Sequence, residues 1–286
     1  MTKEVAAEAS PETETSSAAA APSTSNASVR RPDRWFGIKD IFTTINAMGG
    51  VVAICLCIEG LPFWAGVSML LGYLLGDTLD GWVARKLGTS NQFGAEYDTI
   101  ADHLAHCIAP GAIVYTVYRS VDLGLPPLAQ QLLAICLGGS IMVTASIRHA
   151  RNIVRPIEIK GIWAGLPRTV LGFLGVAYVN ANLAPHFPGG YWFGVALIPL
   201  SCAAALTYLP FPSHRMNRIH HGWVRFFILA AFLTTIGFGI AYPSFVFDIL
   251  LFWMLGYSLA SWISMTRAER ATYFAEVRRK LAEPTA

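Results

Sequence analysis

Apolar residues in this chain are gathered into blocks of about 20, and nothing else restricts its fold so severely. The blocks lie near 40–59, 62–83, 94–118, 127–147, 162–183, 190–209, 223–241 and 244–264. About 20 apolar residues in a helix cross the ~30 Å hydrocarbon core of a bilayer. Within that core only helices or closed barrels satisfy every backbone polar group. The pattern therefore predicts an all-α, polytopic membrane helix bundle with about eight transmembrane helices. Composition agrees, because 54% of the 286 residues are hydrophobic and 14% are charged, whereas a soluble domain carries roughly 25% charge. An ordinary soluble enzyme is excluded; the net charge of +3 is small and says little by itself, and no nucleic acid partner is expected.

The placement of basic residues orients the bundle. Arg30, Arg31, Arg34 and Lys39 precede the first block, and Arg85 and Lys86 separate the second from the third. Arg148, Arg151, Arg155 and Lys160 lie between the fourth and fifth, with Arg168 just inside the fifth. Arg215, Arg218 and Arg225 separate the sixth from the seventh, and Arg267, Arg270, Arg278, Arg279 and Lys280 follow the eighth. The opposite side carries Arg119. Basic loops stay on the cytoplasmic side, so both termini are expected there. Residues 1–29, rich in Ala, Ser, Thr, Glu and Pro, read as a disordered tail. They lack the basic start and apolar run of a signal peptide. Residues 30–40 read as a juxtamembrane interfacial segment, 41–265 as the transmembrane catalytic domain and 266–286 as a cytoplasmic helix and tail. Five cysteines (Cys55, Cys57, Cys107, Cys136 and Cys202) sit inside apolar blocks and read as small buried hydrophobes without disulfides.

Ionisable groups inside membrane spans are costly and mark function, and here they are concentrated. The second block ends with Asp77 and Asp80, three residues apart on one helical face, continued by Gly81 and Ala84. The third opens with Asp98 and Asp102, four apart, with Gly94 one turn earlier on the same stripe. A short connection makes these spans antiparallel neighbours, so both pairs can face one another at the cytoplasmic end. Four converging carboxylates repel one another unless neutralised. Oxygen donors favour hard cations, Mg2+ or Mn2+, and four of them can hold two divalent metal ions. Paired metals suit a diphosphate substrate. Two other readings stand beside this one: carboxylates paired with Arg85, Lys86 and nearby bases, and the cation site of a cation-coupled transporter.

The run Asp77-x2-Asp80-Gly81-x2-Ala84-Arg85-x8-Gly94-x3-Asp98-x3-Asp102 resembles the signature of the CDP-alcohol phosphotransferase family at all of its defining positions. The resemblance implies a six-helix core, commonly a homodimer, a CDP-linked donor and CMP as leaving group. It implies that Asp77, Asp80, Asp98 and Asp102 ligate two metals, with Asp102 the candidate base for the acceptor hydroxyl. It also implies that Gly81 and Ala84 line the cytidine site, that Gly94 permits close packing there, and that Arg85 contacts the diphosphate or orients the carboxylates. Thr43-x2-Asn46, Gly94 to Asp102, Ala109-Pro110, Ile147 to Asn152 and Gly165-Leu166-Pro167 are similar to elements of the phosphatidylserine synthase branch. That branch implies transfer from CDP-diacylglycerol to L-serine in the bacterial inner membrane. Thr43 and Asn46 would lie near the nucleotide, and Arg148, Arg151 and Arg168 would bind phosphate or acceptor. Leu206 to Pro210 also looks like bacterial phosphatidylcholine synthases, so choline, inositol or glycerol phosphate remain alternative acceptors.

Other residues read more plainly. His103 and His106 follow Asp102 and are expected mainly to pack between helices, with a metal-ligand role the sharper alternative. His220-His221 reads as part of a solvated basic loop. Asp248, alone in the eighth block, is expected to make a local hydrogen bond. Trp163, Trp192, Trp223, Trp253 and Trp262 read as interfacial anchors.

Overall fold

The computed structural model of the protein describes residues 36–79, 92–157, 159, 161–213 and 222–283. Each apolar block carries helix. The first is α1 (Ile38–Ile58). Its end is set by Gly60, whose φ of 72° no L side chain adopts readily, and Pro62 then opens α2 (Pro62–Gly72). α2 continues through a π-helical turn, Tyr73–Asp77. The third block is α3 (Gln92–His103), a second π-turn (Leu104–Ile108) and α4 (Ala109–Ser120) in one run. α5 (Pro127–Val154) begins at a proline, which suits a first helical position because no intrahelical acceptor awaits its nitrogen.

The fifth block departs from the expectation of helix throughout. Its start is a strand, β1 (Ile162–Ala164), paired antiparallel with β2 (Pro210–Pro212), with Trp163 opposite Phe211. Gly165 then takes φ +80°, and a Cβ there would lie 2.6 Å from the carbonyl oxygens of both Ala205 and Thr207. Pro167 caps the start of α6 (Arg168–Asn180). The Gly-Leu-Pro element thus breaks the block, and its backbone is tied to the neighbouring span by Gly165 N donating to Leu209 O at 2.8 Å and Leu166 N to Ala204 O at 3.1 Å. The remaining helices are α7 (Tyr191–Leu206), α8 (Gly222–Ala241), α9 (Val246–Ser264) and α10 (Arg267–Ala282).

Among the described helices, Ile38–Ile58 and Pro127–Val154 are long and apolar enough in one unbroken run to cross a membrane. Three of the other spans are interrupted or short. π-turns divide the second and third, and the 13 residues of α6 reach only about 20 Å at ~1.5 Å per residue. The interior mixes large side chains such as Tyr118, Tyr178 and Phe247 with many alanines. Large apolar residues such as Ile58, Val154, Leu200 and Ile240 face outward, whereas Ala53, Ala65, Ala105, Ala109, Ala134 and Ala177 are buried. Lipid offers no hydrophobic reason for helices to associate, so contact depends on small residues that let backbones approach. Cys57, Cys107 and Cys202 are buried free thiols as expected, but Cys55 and Cys136 lie on outward faces, where an apolar thiol meets lipid at little cost.

α9 and α10 brace this arrangement. Phe247 packs edge-on against Phe63 at 5.2 Å. Asp248 accepts from Leu183 N and Asn182 Nδ2, each at 2.9 Å, which is the local bonding expected of it. Trp253 is not an interfacial anchor: its Nε1 donates to Thr234 Oγ1 at 2.8 Å, joining α9 to α8. α10 opens with a reciprocal cap, Glu269 N to Thr266 Oγ1 at 3.2 Å and Thr266 N to Glu269 Oε2 at 2.8 Å. Tyr273 on α10 donates to Tyr208 O at 2.9 Å. Burial pushes its hydroxyl up to about 12, so it stays a donor at neutral pH.

Candidate active site

Both π-turns occur where acidic residues enter the bundle. A π-turn inserts one residue and rotates the next stretch of helix by about 100° relative to an unbroken one, and such turns are frequent at functional sites. Tyr73–Asp77 ends on Asp77, and Thr78 Oγ1 donates to Tyr73 O, five residues back, at 3.1 Å. Leu104–Ile108 holds His106 one turn beyond Asp102. Ligand atoms of Asp77, Asp102 and His106 all lie within 4.8 Å of one another.

Asp102 is where four elements meet. Its Oδ1 accepts from Asn46 Nδ2 of α1 at 3.0 Å, and its Oδ2 accepts from Arg168 Nη2 of α6 at 2.6 Å. His106 Nε2 lies 3.5 Å from Oδ1. Arg168 Nη1 is 3.2 Å from His149 Nδ1 on α5, so its fork joins α6 to both α3 and α5. His103 turns aside, its Nε2 3.1 Å from Ser146 Oγ. Electrostatics explains the arrangement. Two carboxylates no more than 4.8 Å apart repel by about 3.5 kcal/mol or more at an effective dielectric of ~20. The Arg168 guanidinium, four-fifths buried beside Asp102, offsets one of these charges.

Gly76 lets this happen. It precedes Asp77 and presses on α1, where a Cβ would lie 2.5 Å from Asn46 N and 2.7 Å from Phe42 O. Backbone atoms cannot swing aside, so Gly76→Ala must push α1 and α2 apart. The expected cost is about 1–3 kcal/mol, together with a loss of activity, because Asn46 is displaced from Asp102. Thermal unfolding of the purified variant in detergent checks this, and an unchanged Tm would show that the helices separate freely.

The other expected site residues fall into three groups. Asp98 lies half-buried on α3, one turn before Asp102. Gly94, earlier on that helix, is packed so that a Cβ would lie 2.4 Å from Lys39 Cε and 2.6 Å from Asp40 Oδ1. Thr43 is buried on α1. Arg148 and Arg151 direct hydrogen bonds to backbone carbonyls: Arg148 Nη2 to Ala164 and Gly165, both at 3.4 Å, and Arg151 Nη1 to Leu206 at 2.6 Å. They brace the strand and turn that deliver Arg168. Asp80, Gly81, Ala84 and Arg85 lie outside the described residues, as does the His220-His221 loop.

Two buried groups were not singled out as site residues by sequence reasoning. Asp40 is fully buried at the start of α1, its Oδ2 accepting from Gly37 N at 2.7 Å and its Oδ1 3.8 Å from Lys39 Nζ. An acid at the very start of the first apolar block was the available signal. His106, expected mainly to pack between helices, continues the Asp98, Asp102 stripe at the same four-residue interval. The donor set fits a divalent cation. Bonds of about 2.0–2.1 Å place the ligand atoms of an octahedral ion ~3–4.2 Å apart, which the Asp77, Asp102 and His106 atoms can satisfy within their 4.8 Å limit.

Residues 37–208, the span from α1 through α7, match the model of a family described as CDP-alcohol phosphatidyltransferase. The chain is similar to the archaetidylserine synthase of Methanothermobacter thermautotrophicus, 33% identical over 99 residues, covering 33% of this chain and 42% of that protein. It is similar to the CDP-diacylglycerol–serine O-phosphatidyltransferase of Methanocaldococcus jannaschii, 36% identical over 83 residues, covering 29% and 37%. It is also similar to the phosphatidylinositol phosphate synthase of Cutibacterium acnes, 31% identical over 174 residues, covering 59% and 80%. The matches thus span about two-fifths of the length of the two archaeal relatives.

Proposed function

Because this chain belongs to the CDP-alcohol phosphatidyltransferase family, an all-α membrane fold, we propose that it transfers the phosphatidyl group of CDP-diacylglycerol to the hydroxyl of L-serine and releases CMP. The observation that carries this reading is Asp102, held by Asn46 and Arg168 at the junction of four helices and facing Asp77. Serine is supported by the names of the two archaeal relatives and by an arginine fork suited to a carboxylate.

In this reading the acceptor oxygen forms a bond to the phosphorus on the diacylglycerol side. The bond from that phosphorus to the oxygen of CMP breaks, and CMP leaves with the electron pair. Asp102 takes the hydroxyl proton, its two hydrogen bonds keeping the carboxylate aimed. Asp77, Asp80, Asp98 and Asp102 would hold two divalent ions, Mg2+ or Mn2+, which when bound would supply positive charge against the diphosphate and against departing CMP. Thr43, Asn46, Gly81, Ala84, Arg85 and Gly94 surround the nucleotide. Arg168 meets phosphate or acceptor, with Arg148 and Arg151 holding its loop. The basic loops support a cytoplasmic position for the site and both termini; in this reading the membrane is a bacterial inner membrane and the enzyme works as a homodimer.

Inositol phosphate is the second acceptor to consider, because the Cutibacterium acnes relative is matched over 80% of its length. Purified protein with CDP-diacylglycerol, Mg2+ or Mn2+ and one acceptor at a time is expected to release CMP with serine. Release with inositol phosphate, choline or glycerol 3-phosphate, and none with serine, would overturn the serine assignment and leave the family chemistry standing.

A further inference from the structure

We infer that His106 is a nitrogen ligand of the cation that Asp77 and Asp102 hold. The inference rests on the metal-dependent reading above and adds a donor outside the aspartate motif. His106 is fully buried, and neither ring nitrogen has a hydrogen-bond partner among the described residues. Its Nε2 lies 3.5 Å from Asp102 Oδ1, close but not hydrogen bonded. It belongs to the one group of three potential metal-binding side chains among the described residues.

Packing alone accounts poorly for this. The ring stands edge-on to Tyr73 at 5.5 Å and is tilted against Phe173 at 5.9 Å, which any aromatic residue could do. A buried imidazole with both nitrogens unsatisfied has lost its hydration at each of them without a replacement partner. A phenylalanine would fill the same space without that penalty. The aromatic walls instead fix the ring plane, while the π-turn Leu104–Ile108 sets it beside the two carboxylates. Both π-turns of the bundle therefore contribute a member of one three-residue cluster, Asp77 from the first and His106 from the second. An imidazole among carboxylates shifts preference from Mg2+, which takes oxygen ligands almost exclusively, towards Mn2+ and later divalent metals.

The test uses the full chain, purified in detergent, with Mn2+ alone. Free Mn2+ is titrated by electron paramagnetic resonance, and bound Mn2+ is read by electron spin echo modulation from directly coordinated nitrogen. Protein carrying 15N-histidine should convert a 14N modulation into the 15N pattern. That modulation should vanish in His106→Phe and His106→Gln and persist in His103→Phe. Mn2+ affinity should fall in His106→Phe by at least the roughly 10–100-fold that losing a mere supporting partner costs. Gln keeps a polar group in place should Phe fail to fold. Bound Mn2+ with no histidine nitrogen, or modulation that survives in His106→Gln, would overturn the ligand role of His106 while leaving the aspartate site intact. Failure of wild-type protein to bind Mn2+ at all would overturn both.

Discussion

Asp102→Asn is expected to lower CMP release by at least about 10³-fold, within the range that loss of a positioned acid–base group produces. Asparagine has the same shape but no charge and only one acceptor oxygen. Asn46 Nδ2 and Arg168 Nη2 both donate to Asp102, so an amide nitrogen in place of either oxygen would set donor against donor. Fold should survive, at a cost of about 1–3 kcal/mol for the unsatisfied donor, because the helices that meet there are held along their whole length. Initial rates with saturating CDP-diacylglycerol and serine, beside circular dichroism and Tm of the same preparation, make the check. A folded variant within tenfold of wild type would remove Asp102 from the chemistry.

Arg168→Ala is expected to cost nearly as much, for a different reason. Arg168 is the cation that contacts Asp102 among the described residues. Without that guanidinium the carboxylates of Asp77 and Asp102, within 4.8 Å of each other, face about 3.5 kcal/mol of repulsion that it no longer offsets. At 1.36 kcal/mol per tenfold, that corresponds to a fall in kcat/KM of about 10²–10³. Arg168→Lys should recover only part of it, since one ammonium cannot contact Asp102 and His149 as the fork does, at 2.6 and 3.2 Å. The kinetic split is informative. A higher KM for serine at near-normal kcat identifies Arg168 with the acceptor, whereas a lower kcat at constant KM identifies it with positioning of Asp102. Wild-type kcat/KM in Arg168→Ala would refute both roles.

The helix content and the place of the site were legible from one-dimensional signals. Blocks of about 20 apolar residues need no partner to declare themselves, because bilayer thickness sets their length. Asp98 and Asp102 share a stripe through α-helical geometry alone, and Asn46 is marked by the resemblance of Thr43-x2-Asn46 to a family element. Membrane location and family membership are carried by such local patterns.

Tertiary structure decided how those residues are used. A π-turn shifts the backbone hydrogen-bond register by a single residue, with energies too close to α-helix for composition to announce. Yet such turns carry Asp77 and His106 into one cluster. The partnership of Asp102 with Arg168, 66 residues apart, depends on where Gly165 and Pro167 break the fifth block and how α6 seats against α3. Periodicity is a property of one helix, whereas a bond across helices depends on how several of them pack, and packing among lipid is set by small residues and backbone approach rather than by apolar pattern.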